Sequence, residues 1–131
     1  MDKIKVAAYM RFGKSEDANT IDYEKINREV YAELCEKRGM ELVDTYCDYG
    51  YSTAKKRLGF IKMMEDSKTG KFQRVIVKST TKLNDNIKEF IQTVQELKKN
   101  GVSVWLAKYD CLAEELLEEL KPLIEKITKK Q

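Results

Sequence analysis

Apolar residues recur along this chain with two alternating periods, and that alternation predicts the order of its elements. Runs with the length and composition of strands cover residues 3–10, 40–47, 72–78 and 102–106. The stretches between and after them repeat apolar residues at helical spacing, over residues 20–38, 60–69, 86–99 and 111–130. The chain therefore alternates strand and helix four times.

Strand and helix in strict alternation favour an α/β fold, because right-handed crossovers bring each helix back onto a parallel sheet. We expect one domain over residues 1–131, with a mostly parallel four-stranded sheet flanked by helices. Its C-terminal segment, residues 111–130, contains Pro122, which predicts a kink or two short helices. Functional side chains are expected in the loops at the carboxyl ends of the strands.

Composition excludes several kinds of chemistry. The chain has three cysteines and no histidine, which excludes serine-histidine and cysteine-histidine catalysis and histidine-ligated zinc. We expect no metal and no other cofactor. Its apolar runs are shorter than a membrane span and no signal peptide begins it, so a cytoplasmic protein with reduced thiols is predicted. A net charge of +3 does not decide whether it binds nucleic acid.

Three motifs lie in the predicted loops. The first is AYMRFG at residues 8–13, at the end of the first strand. The second is DYGYST at residues 48–53, followed by KRLGF at residues 56–60, and the third is VKSTTKLNDN at residues 77–86. In residue type, order and spacing they resemble the catalytic domain of resolvase/invertase-type serine recombinases, and the likeness extends over about residues 3–105.

The resemblance implies a resolvase-like fold and a role in site-specific DNA recombination and integration, in which a serine attacks a DNA phosphodiester. Guanidinium groups suit that chemistry because they bind phosphate oxygens in pairs and stabilise developing charge. Arg11 and Arg57 stand at phosphate-binding arginine positions, Asp48 at an acidic position and Ser52 at a loop serine. Further candidate contacts to DNA phosphate are polar side chains of the second and third motifs: Lys56, Ser79 and Lys82.

Four positions depart from the family pattern. Gly13 stands where the nucleophilic serine belongs, Lys82 and Asp85 replace two arginines, and Gln73 replaces an aspartate near the third strand. Glycine has no group that can attack phosphorus, and Asp85 would repel phosphate, while Lys82 keeps a charge without the guanidinium fork. The sequence therefore predicts a pseudoenzyme that does not cut DNA.

Two roles remain open. One is a non-catalytic or regulatory module that forms a homodimer, or a heterodimer with an active serine recombinase; the resemblance implies a dimer contact in the C-terminal helix, whose leucines could equally pack on the sheet. The other is an active strand-exchange domain that uses Ser15 as substitute nucleophile or works within a hetero-assembly. Ungapped spacing after Arg11 favours a loop or helix-capping role for Ser15. No DNA-binding domain is expected in this chain, so any DNA binding should be weak.

Overall fold

The computed structural model describes residues 3–13, 22–50 and 57–128. Their strands are β1 (Lys5–Phe12), β2 (Glu41–Tyr49), β3 (Arg74–Val77), β4 (Ser103–Leu106) and β5 (Cys111–Leu112). Their helices are α1 (Tyr23–Lys37), α2 (Leu58–Asp66), α3 (Thr80–Leu83), α4 (Ile87–Lys99) and α5 (Ala113–Thr128). None of these helices combines the length and the apolar content that a bilayer span requires.

The strands form one sheet in the order β2-β1-β3-β4-β5, parallel except for the antiparallel β5. The predicted α/β class is confirmed, but the sheet has five strands rather than four. The additional strand is only two residues long and pairs Leu112 with Trp105 and Cys111 with Leu106. It directly precedes a leucine-rich helix, so its apolar residues looked like the first turn of that helix.

The helices cover the two faces of the sheet unequally. On one face α1 packs Tyr31 and Cys35 against Met10 and Phe12 of β1. On the other face Tyr9 of β1 belongs to the cluster that includes residues of α2, α4 and α5. Neighbouring residues of β1 are thus buried on opposite faces, as expected for an inner strand of a parallel sheet.

The boundaries of the predicted elements shift where side-chain pattern alone could not fix them. Strand β1 ends two residues later than predicted, at Phe12, and β2 ends at Tyr49 instead of residue 47. Helix α4 begins one residue later than predicted, at Ile87, because Asn86 is its N-cap and accepts a hydrogen bond from the Glu89 amide at 2.9 Å. The single-turn helix α3 lies within a segment predicted to be a loop.

Helix α5 runs through Pro122 as one helix, so of the two outcomes predicted there, a kink or two short helices, the second is wrong. Proline removes the hydrogen bond to the carbonyl four residues earlier, which is that of Glu118. Both Pro122 and Glu118 are exposed, so water can bind that carbonyl. The helix therefore tolerates the proline without ending there.

A cluster around Asp110 ties the end of α1 to the turn after β4. Asp110 has a left-handed backbone with φ of 50°, and its carboxylate forms an ion pair with Arg38. The same carboxylate accepts the indole N–H of Trp105 at 3.2 Å, and the guanidinium of Arg38 lies 5.4 Å from the indole centroid. The hydrogen bond from Arg38, followed by that from Trp105, holds the pKa of Asp110 below its ordinary value.

The variant Asp110→Asn is expected to lose a pH-dependent part of the free energy of unfolding. A depressed carboxyl pKa stabilises the folded state above the unfolded-state pKa, near 3.8, and that contribution disappears as pH falls through the lower folded-state value. Asparagine tolerates the left-handed backbone, so the turn should persist. Urea unfolding between pH 2 and 6 should therefore show the free energy of unfolding of the native chain falling more steeply than that of the variant. The steeper fall should begin as pH drops below ~4. Parallel curves would contradict this.

Candidate functional site

Most of the described candidate residues meet at the carboxyl edge of the sheet. Arg11, near the end of β1, is in register with Asp48 of β2, and Gly13 follows β1 directly. Ser79 and Lys82 come after β3, the other neighbour of β1. Because the three strands are parallel, the topology alone brings these loops together.

At the centre of this edge is a buried network of Tyr9, Asp48 and Arg57. The Tyr9 hydroxyl donates to Asp48 Oδ2 at 2.7 Å, and Arg57 donates to that hydroxyl from Nε at 3.0 Å and from Nη2 at 2.9 Å. Arg57 is only 2% exposed; it also donates to the Leu83 carbonyl and lies 4.2 Å from the ring centroid of Phe60. Its guanidinium is thus engaged by the protein itself.

Burial and the hydrogen bond to Asp48 raise the pKa of Tyr9 above its ordinary value, so its hydroxyl stays protonated. A protonated hydroxyl has one proton to donate and lone pairs to accept. Here the proton goes to Asp48 and the lone pairs accept from Arg57. The Tyr9 hydroxyl therefore connects the Asp48 carboxylate to the Arg57 guanidinium through hydrogen bonds to both.

Asp48 also holds the first turn of α2. Its carboxylate accepts the backbone amides of Gly59 at 2.8 Å and Phe60 at 2.9 Å, a favourable place for negative charge. A Cβ at residue 59 would lie 2.7 Å from the Cys47 carbonyl oxygen. Glycine is needed there because it lets the helix begin directly against β2, within reach of Asp48.

Arg11 is paired with a carboxylate. Its Nη2 lies 2.7 Å from Asp85 Oδ1, and Nη1 donates to the Thr81 carbonyl at 3.4 Å. The side chain of Arg11 is 14% exposed and that of Asp85 is 60% exposed. Lys82 donates from Nζ to the Arg11 carbonyl at 3.1 Å. The sequence predicted repulsion of phosphate by Asp85, but its pairing with Arg11 was missed because the two residues are 74 positions apart.

Two further positions singled out in the sequence, Ser79 and Gln73, lie in different parts of the structure. Ser79 precedes α3, with its Oγ 3.2 Å from Thr81 Oγ1. Gln73 lies before β3, where it accepts the Lys5 amide at 3.1 Å and donates to the Gly70 carbonyl. Because Lys5 begins the strand that carries Arg11 near its end, Gln73 is about 20 Å from Arg11 along the strand direction. The structure therefore does not bring Gln73 into the site.

Three candidates lie outside the described residues, namely Ser15, Ser52 and Lys56. Their predicted roles stay predictions. Within residues 3–13, 22–50 and 57–128, no group of three or more cysteine, aspartate and glutamate side chains is arranged to hold a metal ion.

Comparison with known proteins identifies a related family. The family model "Resolvase, N terminal domain" matches residues 6–129. No curated protein sequence matches the chain significantly. Solved structures do match, and they show the fold.

The N-terminal catalytic domain of TP901-1 integrase is 21% identical, with a TM-score of 0.75, over 96% of this chain and 97% of that one. A resolvase family site-specific recombinase from Streptococcus pneumoniae is 24% identical, with a TM-score of 0.75, over 98% of this chain and 89% of that one. The C-terminal catalytic domain of ISC1926 TnpA, an IS607-like serine recombinase, is 18% identical, with a TM-score of 0.66, over 97% and 85% of the two chains.

Proposed function

This chain belongs to the family of resolvase N-terminal domains, and on that premise we propose that it acts in DNA recombination as a non-catalytic module that dimerises. The observation that carries the proposal is Gly13. It follows β1 directly, two residues after Arg11, and it has no hydroxyl. Covalent attack on phosphorus requires a nucleophilic atom in line with the leaving group, and hydrogen at Cα supplies none.

The state of the two arginines supports the same conclusion. Electrostatic catalysis depends on donors that are already aimed at the oxygens of the transition state. Arg57 donates hydrogen bonds to the Tyr9 hydroxyl and to the Leu83 carbonyl. Arg11 donates from Nη2 to the Asp85 carboxylate. A phosphate that approached these nitrogen atoms would have to compete with the charge-assisted hydrogen bonds that they already make. Their arrangement favours holding the fold over stabilising a transition state.

Dimerisation is supported by helix α5. Leu116 and Leu117, in its first half, pack against the core, so part of the leucine stripe covers the sheet. Leu123, in the second half, is 55% exposed. An exposed leucine on a long amphipathic helix suits packing against a second helix, either from another copy or from an active serine recombinase.

The proposal is tested by mixing the chain with an active serine recombinase of the same cell and that enzyme's own DNA site. We expect a complex at micromolar concentration by sedimentation, and no covalent adduct of this chain with DNA on a denaturing gel. Leu123→Gln should weaken the complex, whereas the neighbouring exposed Lys121→Gln should not. An adduct that disappears in Ser15→Ala would establish an active enzyme, and absence of any dimer would reject the module.

A further inference from the structure

Helix α5 carries its charges unevenly along its length. Its first two turns hold four glutamates, at positions 114, 115, 118 and 119, and its second half holds Lys121, Glu125 and Lys126. The helix dipole favours acidic residues in the first turn and basic residues in the last. It does not account for Glu118 and Glu119 in the second turn. These lie four residues after the first two glutamates and place like charges side by side, at a cost to an isolated helix.

Glu119, Leu123 and Lys126 lie on one side of α5. With 3.6 residues per turn, Glu119 is about 40° and Lys126 about 60° from Leu123 around the helix axis, in the same direction. All three side chains are exposed, Leu123 by 55%. Neither charged side chain forms an ion pair with another residue in the part of the chain that the structure describes. They are seven residues apart, beyond the spacing at which side chains of one helix are neighbours.

An antiparallel second copy of α5 matches this pattern. If a two-fold axis passes beside residues 122 and 123, Glu119 of each copy lies opposite Lys126 of the other, since both are equally far along the helix from the axis. The exposed Leu123 side chains then meet at the axis. A parallel pair would instead place glutamate against glutamate and lysine against lysine. Charges beside an apolar contact select helix orientation in coiled coils in this way.

We infer that two copies of this chain pair through antiparallel α5 helices, with Glu119 of each copy against Lys126 of the other around the Leu123 contact. The inference rests on the proposed dimerising module and goes further, because it names a second copy as the partner and gives its orientation. A two-fold interface uses the same patch on both copies, so that patch must be complementary to itself. The side of α5 that carries these three residues meets this requirement.

Charge reversal in the intact chain tests the pairing, with self-association measured by sedimentation equilibrium. Glu119→Lys places lysine opposite lysine at both contacts, and we expect the dissociation constant of the dimer to rise about tenfold, equivalent to about 1.4 kcal/mol. Lys126→Glu should weaken the dimer by a similar factor. The double variant E119K/K126E exchanges the two charges and should restore the native affinity. An equimolar mixture of the two single variants should also dimerise with native affinity.

Glu118→Lys is the matched control. Glu118 is exposed and has the same charge as its neighbour Glu119, but it lies about 140° from Leu123 around the helix. Its reversal should leave the dissociation constant unchanged. Added salt should weaken the native dimer and strengthen that of Glu119→Lys, because it screens attraction in the first and repulsion in the second. Circular dichroism establishes that each variant folds.

Equal dissociation constants in the native chain and both single variants would overturn the antiparallel pairing and leave the dimerising module standing. A double variant that dimerises no better than the single ones would also overturn the pairing. So would a native chain that stays monomeric at micromolar concentration yet binds an active serine recombinase. Absence of both associations would reject the module as well, so the failure of the pairing and the failure of the module are distinguishable.

Discussion

Replacing Asp48 by alanine is expected to lower the free energy of unfolding by about 3–5 kcal/mol, the order of the cost when a buried charge loses its counter-charge, which here acts through the Tyr9 hydroxyl. The carboxylate is 8% exposed and accepts from the Tyr9 hydroxyl and from the amides of Gly59 and Phe60. Each of these donors would be left without its acceptor, at about 1–3 kcal/mol for a buried group. The buried guanidinium of Arg57 would also lose the negative charge on the far side of the Tyr9 hydroxyl.

Asp44 offers a matched control on the same strand. Its carboxylate forms an ion pair with Lys71, and both side chains are at least one-third exposed. Asp44→Ala should therefore cost at most about 1 kcal/mol, as surface ion pairs do. Urea unfolding followed by Trp105 fluorescence measures both variants. Equal losses in the two would show that Asp48 does not hold the buried network together.

The sequence predicted the parts of the fold that local side-chain pattern determines, and it missed those that depend on pairing with distant segments. The apolar pattern located all four longer strands, since burial selects those residues directly. It placed the end of β1 two residues early, because Arg11 and Phe12 continue the strand by pairing with Asp48 and Tyr49 of a distant segment. Such pairing depends on register, which local composition does not specify.

For the candidate site, too, the sequence predicted the location of the residues but not their contacts with distant residues. Motif order placed Arg11, Asp48 and Arg57 near one edge of the sheet, and the structure has them there. The sequence could not show that Arg57 points inward, because its burial depends on Tyr9 and on the Leu83 carbonyl, 26 positions away. It treated the charges of the third motif separately and so missed the pairing of opposite charges across the site.

The pairing of Arg11 with Asp85 leads to the second large effect, a gain in DNA affinity in Asp85→Asn. A carboxylate and a phosphate compete for the same guanidinium, and the 2.7 Å contact gives that position to Asp85. Removing its charge also removes repulsion of an approaching phosphate, worth about 1 kcal/mol at 4 Å in water and more near a protein surface. We expect about tenfold tighter binding of a short duplex, measured by fluorescence anisotropy, equivalent to about 1.4 kcal/mol.

Salt dependence distinguishes a new phosphate contact from a general change in charge. One further neutralised phosphate steepens the slope of log K against log salt by about 0.9 on duplex DNA. Glu33→Gln removes the same charge from an exposed ion pair with Lys37 on α1, and it should leave the slope unchanged. Equal shifts in both variants would contradict a specific role for Asp85. Because Gly13 still lacks a hydroxyl, tighter binding by Asp85→Asn should bring no strand breakage, which would separate the binding of DNA from its cleavage.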